Sequence, residues 1–161
     1  MQKLLAFIDF SQTTPAVLKA ANAIAGAFDM KLLLVHVSTP DAEYEGDKIR
    51  TNLSRHEVAA EMRRHHRALH ILALECRKLG VDATALLVKS VSARGNPAPK
   101  IVREAARLRP SLIVMGTHGH GRLHDLLLGS ASSSVVRKAR CPVLLIPSPA
   151  TEPPWPASSR R

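Results

Sequence analysis

Five short apolar runs, separated by stretches patterned for helix, leave this chain few ways to fold. The runs are Lys3–Phe10 (KLLAFIDF), Lys31–Val37 (KLLLVHV), Thr84–Val88, Ser111–Met115 (SLIVM) and Pro142–Ile146 (PVLLI). Such nearly continuous apolar runs suit strands covered on both faces. Between them, Val17–Phe28 is alanine-rich and follows Ser11-Gln-Thr-Thr-Pro15, whose hydroxyls can cap and whose proline suits a first helical turn. Ser54-Arg-His-Glu57 has capping-box spacing and predicts the start of a second helix. The apolar stripe of that helix is Val58, Met62, Leu69, Leu72, Cys76 and Leu79, with His65 filling the gap and Gly80 as a natural stop. A turn at Asn96-Pro97 precedes a third helix over Lys100–Leu108, and a fourth is expected over about Ser132–Ala139. The polar residues 38–53 read as a loop. This alternation predicts an α/β fold, a five-stranded parallel sheet with helices on both faces. Ligands in such folds sit at the C-terminal ends of strands, where the strand order reverses.

A chain of 161 residues fits one domain with a core that needs no staples. That domain is expected over 1–147. The remainder, 148–161, holds four prolines and is expected to be a disordered tail. Cys76 and Cys141 each lie in an apolar pattern and read as small buried hydrophobes. No CxxC metal site or disulfide framework is visible, which points to a reducing, cytoplasmic compartment. Met1–Phe10 lacks a cleavage-site pattern and reads as a first strand, not a signal peptide. No apolar stretch approaches the ~18 residues of a membrane span. The formal net charge of +10 suits an anionic partner, whether nucleotide, nucleic acid or anionic membrane.

The segment from Gly116 to Ser132 (GTHGHGRLHDLLLGSAS) carries the most chemical information. Gly116 and Gly121 have the glycine spacing of a Walker A loop, but Arg122-Leu123 stands where Lys-Ser/Thr is required. Gly119 and Gly121 begin a dinucleotide fingerprint, but position 124 is histidine. What remains is a loop leaving a parallel strand, with Gly116, Gly119 and Gly129 letting the backbone approach an anion. Gly129-Ser130 then opens a helix whose free N–H groups and dipole favour phosphate, and Ser130 and Ser132 can add hydroxyl donors. A surface loop with turn glycines would look the same on spacing alone.

The pattern G-x-x-G-x9-G-S, here Gly116, Gly119, Gly129 and Ser130, resembles the nucleotide-binding motif of ATP-binding universal stress proteins. Ile113–Gly119, Leu126–Ser130, Cys141–Leu145, Asp9-Phe10-Ser11 and His36-Val37 are also similar to segments of that family, and the likeness covers about residues 1–147. The resemblance implies a Rossmann-like fold of the adenine nucleotide alpha hydrolase type, with strand order 3-2-1-4-5. It also implies an adenine nucleotide as ligand, ATP or else AMP or ADP, accompanied by Mg2+ or Mn2+. Carried over by position, Asp9 would hold the ribose, and Ile8, Val37 and Met115 would line the adenine side. Gly116, Gly119, Gly129, Ser130, Ala131 and Ser132 would meet the phosphates, mainly through backbone N–H groups. Asp9 could equally cap the first helix. The family further implies a homodimer formed through the last strand, Val143–Ile146. His120, His124 and Ala131 depart from common members without removing a backbone donor.

Other readings remain open. His66 and His70 sit four apart on the second helix and could share a metal, but no third ligand is evident. His118, His120 and His124 could meet a metal or a phosphate. Arg63-Arg64-His65-His66-Arg67 is a basic cluster on the same helix, a solvated face or a nucleic-acid contact. With aromatics at 3% and none interleaved with the cluster, base stacking finds no platform, which argues against nucleic acid. A slow ATPase is an alternative to a binding module, with Asp9 near a metal and His118 or His120 as base. No dedicated phosphoryl-transfer constellation is visible, so any turnover should be slow. The function expected is therefore a nucleotide-dependent sensor or regulator in stress response.

Overall fold

All five apolar runs form strands of one sheet. The computed structural model describes residues 1–38, 43–45, 48–50, 55–90, 97–117 and 129–148. In chain order the elements are β1 (Lys3–Phe7), α1 (Thr14–Ala27), β2 (Lys31–Ser38), β3 (Glu43–Glu45), β4 (Lys48–Arg50) and α2 (Arg55–Lys78). They continue with β5 (Ala83–Lys89), α3 (Ala98–Leu108), β6 (Leu112–Gly116), α4 (Ser130–Lys138) and β7 (Val143–Ile146). The main sheet has the order β5-β2-β1-β6-β7 with every pairing parallel. Counting only its own strands, this is the order 3-2-1-4-5, and it reverses between β1 and β6.

Two apolar layers hold the sheet between helix pairs. Leu4, Ala6, Ile8, Leu32 and Leu34 pack with Val17 and Ala21 of α1 and with Leu69, Ala73 and Cys76 of α2. The alternate strand residues Leu5, Phe7, Leu33, Val35, Ile113 and Met115 pack with Ile101 and Ala105 of α3 and Val135 of α4. Strands covered on both sides explain why their sequences are apolar throughout and do not alternate.

Helix ends follow local chemistry. Gly80 takes φ +84°, its N–H meets the Arg77 carbonyl at 3.0 Å, and the Val81 N–H meets the Cys76 carbonyl at 3.2 Å. This paired arrangement satisfies the last carbonyls of α2, and glycine adopts it without a Cβ penalty. Leu79, expected on the apolar stripe, is 72% exposed because the helical repeat ends at Lys78 and the chain turns away. The loop expected over 38–53 is corrected in part: β3 and β4 form a short antiparallel hairpin, with Glu43 opposite Arg50 and Glu45 opposite Lys48. A hairpin of three-residue strands offers no apolar run for pattern reading to find.

Buried Glu104 on α3 is the notable charged group of the second layer. Burial pushes its carboxyl up, but hydrogen bonds from Arg107 (2.7 Å) and Lys100 (3.2 Å), with their charges, outweigh it and hold it below the usual carboxylate range. Cys76 is buried as expected; Cys141 is only half-buried, and both are free thiols pushed up by burial. Among the described residues no helix is long and apolar enough to cross a membrane. The expected tail disorder concerns residues of which all but Ser148 lie outside the described ones.

Candidate functional site

The C-terminal ends of β1, β2 and β6 meet where the strand order reverses, and the structure builds this corner from three local devices. The first follows β1. One oxygen of Asp9, Oδ1, accepts the Ser11 backbone N–H at 3.0 Å and the Thr14 hydroxyl at 3.2 Å. The Ser11 hydroxyl oxygen accepts the Thr13 N–H at 3.2 Å, and the Thr14 N–H reaches the Ser11 carbonyl. Asp9 thus ties the start of α1 to the end of β1, although the N-cap of α1 is Thr13 and not Asp9.

The second device is aromatic, and pattern reasoning did not find it. Phe10 sits in the left-handed region at φ 59°, uncommon for a bulky residue. Its ring packs against His36 at 4.7 Å and His65 at 5.5 Å between centroids, and the two imidazoles meet edge-on at 4.6 Å. His36 Nδ1 lies 2.7 Å from the Ile8 carbonyl. A carbonyl can only accept, so Nδ1 carries the proton and the ring clamps the end of β1 to β2. Glu61 approaches His65 at 3.8 Å. His65 is half-buried on the stripe of α2, where the sequence placed it; no sequence spacing announces the cluster.

The third device closes the glycine segment. The Thr117 carbonyl accepts the Gly129 N–H at 2.9 Å and the Ser132 hydroxyl at 2.7 Å, while Ser132 Oγ also lies 2.9 Å from the Gly129 carbonyl. The Thr117 N–H continues the sheet to the Ile146 carbonyl at 2.8 Å. The end of β6 and the start of α4 are therefore stitched together across the intervening segment. Ser132 is buried and its single hydroxyl hydrogen is engaged inside this stitch, so what it offers a ligand is its N–H. Gly129 is the N-cap of α4, which begins at Ser130. The amides of Ser130, Ala131 and Ser132 lie in the first turn, where no intrahelical carbonyl reaches them. No acidic side chain stands in that turn, so the positive end of the helix dipole is uncompensated there.

The residues assigned to the adenine side do not share one face. Ile8 is 3% exposed and packs into the layer of α1 and α2. Met115, 5% exposed, and half-buried Val37 belong to the opposite layer. Ile8 and Met115 can offer a ligand little but backbone, leaving Val37 as the accessible side chain of the three. Gly116 is half-buried at the end of β6. Gly119, His118, His120 and His124 lie outside the described residues. Two grooves lined by described residues lie on the outer face of α2, away from this corner. Among the described residues no three His, Cys, Asp or Glu side chains gather as a metal site. His66 and His70 stack in parallel at 6.3 Å between centroids, as a pair without a third ligand.

With this geometry in view, comparison with known proteins is informative. The profile of the Universal stress protein family matches residues 1–147. A universal stress protein of Thermus aquaticus is 38% identical over 144 residues, spanning 89% of this chain and 96% of its own. The universal stress protein A-like protein of Arabidopsis thaliana is 33% identical over 131 residues, spanning 78% and 71%. Among solved structures, universal stress protein UspA from Lactobacillus plantarum superposes with a TM-score of 0.73 at 23% identity, covering 90% of this chain and 97% of its own. A universal stress protein solved in complex with cAMP gives 0.64 at 20% identity (92% and 98% covered), and one from Archaeoglobus fulgidus in complex with dAMP gives 0.62 at 19% (90% and 97%). At such identities these structures establish a common fold. The match along residues 1–147, the identity to full-length relatives and the sheet order agree, and the chain belongs to the universal stress protein family.

Proposed function

We propose that this protein binds an adenine nucleotide, ATP foremost, at the corner formed by β1, β2, β6 and α4, and acts as a nucleotide-dependent sensor or regulator in stress response. The stitch through Thr117 carries the reading. It presents the first-turn amides of Ser130, Ala131 and Ser132 beside the end of β6, three donors and a helix dipole suited to phosphate oxygens. Asp9, at the end of the adjacent strand, is the carboxylate that would accept ribose hydroxyls. Gly116 and Gly119 would let the backbone approach the phosphates, and Val37 would pack on the base with backbone from Ile8 and Met115. The family relatives solved with cAMP and dAMP support an adenine ligand.

A divalent ion, Mg2+ or Mn2+, would be carried by the nucleotide phosphates, since the described residues gather no metal site of their own. Hydrolysis is slow or absent in this reading, because phosphoryl transfer needs a metal clamp and a positioned base and the sequence shows no dedicated constellation for them. The unit that does this is residues 1–147, working in the cytoplasm as a homodimer. β7 is an edge strand of the sheet with all four residues half-buried, which suits pairing with a second copy across a twofold axis. Calorimetric titration with ATP, AMP and cAMP in Mg2+ tests the site: saturable binding with a dissociation constant below about 1 mM is expected. No heat and no bound nucleotide at millimolar ligand would refute it.

A further inference from the structure

The outer face of α2 carries a second, unrelated surface. The eight residues from Arg63 to His70 include three arginines, three histidines and no acid. His65 turns inward; Arg63, Arg64, His66, Arg67 and His70 are exposed. At 100° per residue, Arg63, Arg67, His70, Ile71 and Leu74 form one ridge, opposite the buried stripe of Leu69, Leu72 and Cys76. Ile71 is 48% exposed and Leu74 44%, large aliphatic groups left in water beside the charges. Among the described residues none of the three guanidinium groups lies in an ion pair with a carboxylate.

The ridge is flanked by two grooves. One, of about 500 Å³, runs between α2 and edge strand β5 and is lined by Met62, His66, His70 and Leu87 with Arg63 and Arg67 at its lip. The other, of about 370 Å³, lies on the far side against Arg64, Ala68 and Ile71. Both are lined by aliphatic side chains together with cationic ones.

We propose that this ridge and its grooves are a docking surface for an acidic peptide segment of a partner protein, one that carries aliphatic side chains between its carboxylates. Arginine forks match carboxylates two hydrogen bonds at a time, and the aliphatic lining would take the aliphatic groups. From Arg63 to Leu74 the ridge spans about 16 Å, the reach of roughly five extended residues. Nucleic acid fits less well: phosphodiesters make no use of aliphatic side chains, and the described residues of the patch include no Phe, Tyr or Trp ring for a base. A bilayer fits less well because the grooves are concave and no Trp or Tyr lines them among the described residues. The surface is independent of the nucleotide corner and would persist if that reading failed.

Fluorescence anisotropy of the full chain with a labelled peptide of roughly ten alternating Glu and Leu residues tests the surface, alongside an all-Glu peptide, an oligo-dT strand and phosphatidylserine vesicles. Saturable binding of the Glu-Leu peptide is expected, weakened about tenfold or more by Arg63→Glu with Arg67→Glu and by raised salt. Ile71→Ser should weaken it about threefold while leaving the all-Glu peptide unaffected. Melting curves check that the variants fold; if charge reversal perturbs them, Arg63→Gln with Arg67→Gln removes charge alone and should still weaken binding. No saturable binding up to about 1 mM overturns the proposal, as does equal affinity in the variants. Tighter binding of the oligonucleotide or vesicles, lost in the same variants, would also overturn it and reassign the surface to that partner.

Discussion

Replacing Gly129 with aspartate separates two roles of one position. Gly129 is the N-cap of α4 with φ −58° and ψ 159°, a conformation open to any L-residue. Aspartate is a preferred N-cap and its charge complements the helix dipole, so the unliganded variant should be as stable as wild type or about 0.3–1 kcal/mol more stable. For a phosphate on the same amides the effect is opposite. Two unit charges ~6 Å apart repel by about 1–3 kcal/mol for effective dielectrics between those of water and a protein surface. The new carboxylate would also fold onto the amides that the phosphate needs. A hundredfold loss of affinity is the central expectation, about 2.7 kcal/mol. The assay is thermal unfolding with and without Mg-ATP. With ligand at about 100 times its dissociation constant, wild type gains about 2.7 kcal/mol, a rise of about 5–10 °C for a domain of this size. The variant would keep about 0.4 kcal/mol, close to 1 °C. A Gly129→Asp protein that melts at least as high as wild type alone, yet shows no ATP shift, is the predicted outcome. A full ATP shift in the variant would refute the phosphate assignment. An unliganded midpoint lowered by more than about 5 °C would refute the cap geometry.

Three further perturbations follow from the packing. Ser132→Ala removes the hydroxyl bond to the Thr117 carbonyl, which keeps the Gly129 N–H; urea unfolding should show a loss of about 1 kcal/mol with ATP affinity within tenfold of wild type, and a larger affinity loss would place the hydroxyl on the ligand. Leu69→Ala empties a site that is 0% exposed between α2 and the sheet, and should lower stability by about 2–5 kcal/mol in the same assay; a loss under about 1 kcal/mol would contradict the packing. Glu104 has a folded pKa below its ordinary value of 4.5, so its stabilising contribution is present above that pH and lost as pH falls through the folded value. The stability gap between wild type and Glu104→Gln should therefore be full at neutral pH and close in acid; a gap that widens below pH 4.5 would reverse the sign of the argument.

Sequence patterning identified each main-sheet strand because strands buried on both faces must be apolar at every position, and that demand is local. Gly80 was legible as a stop for the same reason, since only glycine takes φ +84° freely. The glycine segment and Ser130–Ser132 were singled out because backbone approach to an anion limits residue choice at fixed spacing, and Asp9 by its likeness to a family segment. Their assignments were less legible. Ser132 looked like a hydroxyl donor to a ligand and spends that donor on Thr117; Ile8 looked like an adenine wall and faces the α1–α2 core. The β3–β4 hairpin was missed because its two strands are three residues each and carry no apolar run. Phe10, His36 and His65 come from three elements far apart in the chain and meet only once β1, β2 and α2 have packed. By itself the sequence determined which segments are strands and helices and where backbone can approach an anion, because those are properties of neighbouring residues. Only the tertiary structure decided which groups face the corner and which are spent holding it together, because a hydrogen bond or a ring contact between distant segments depends on how the layers stack.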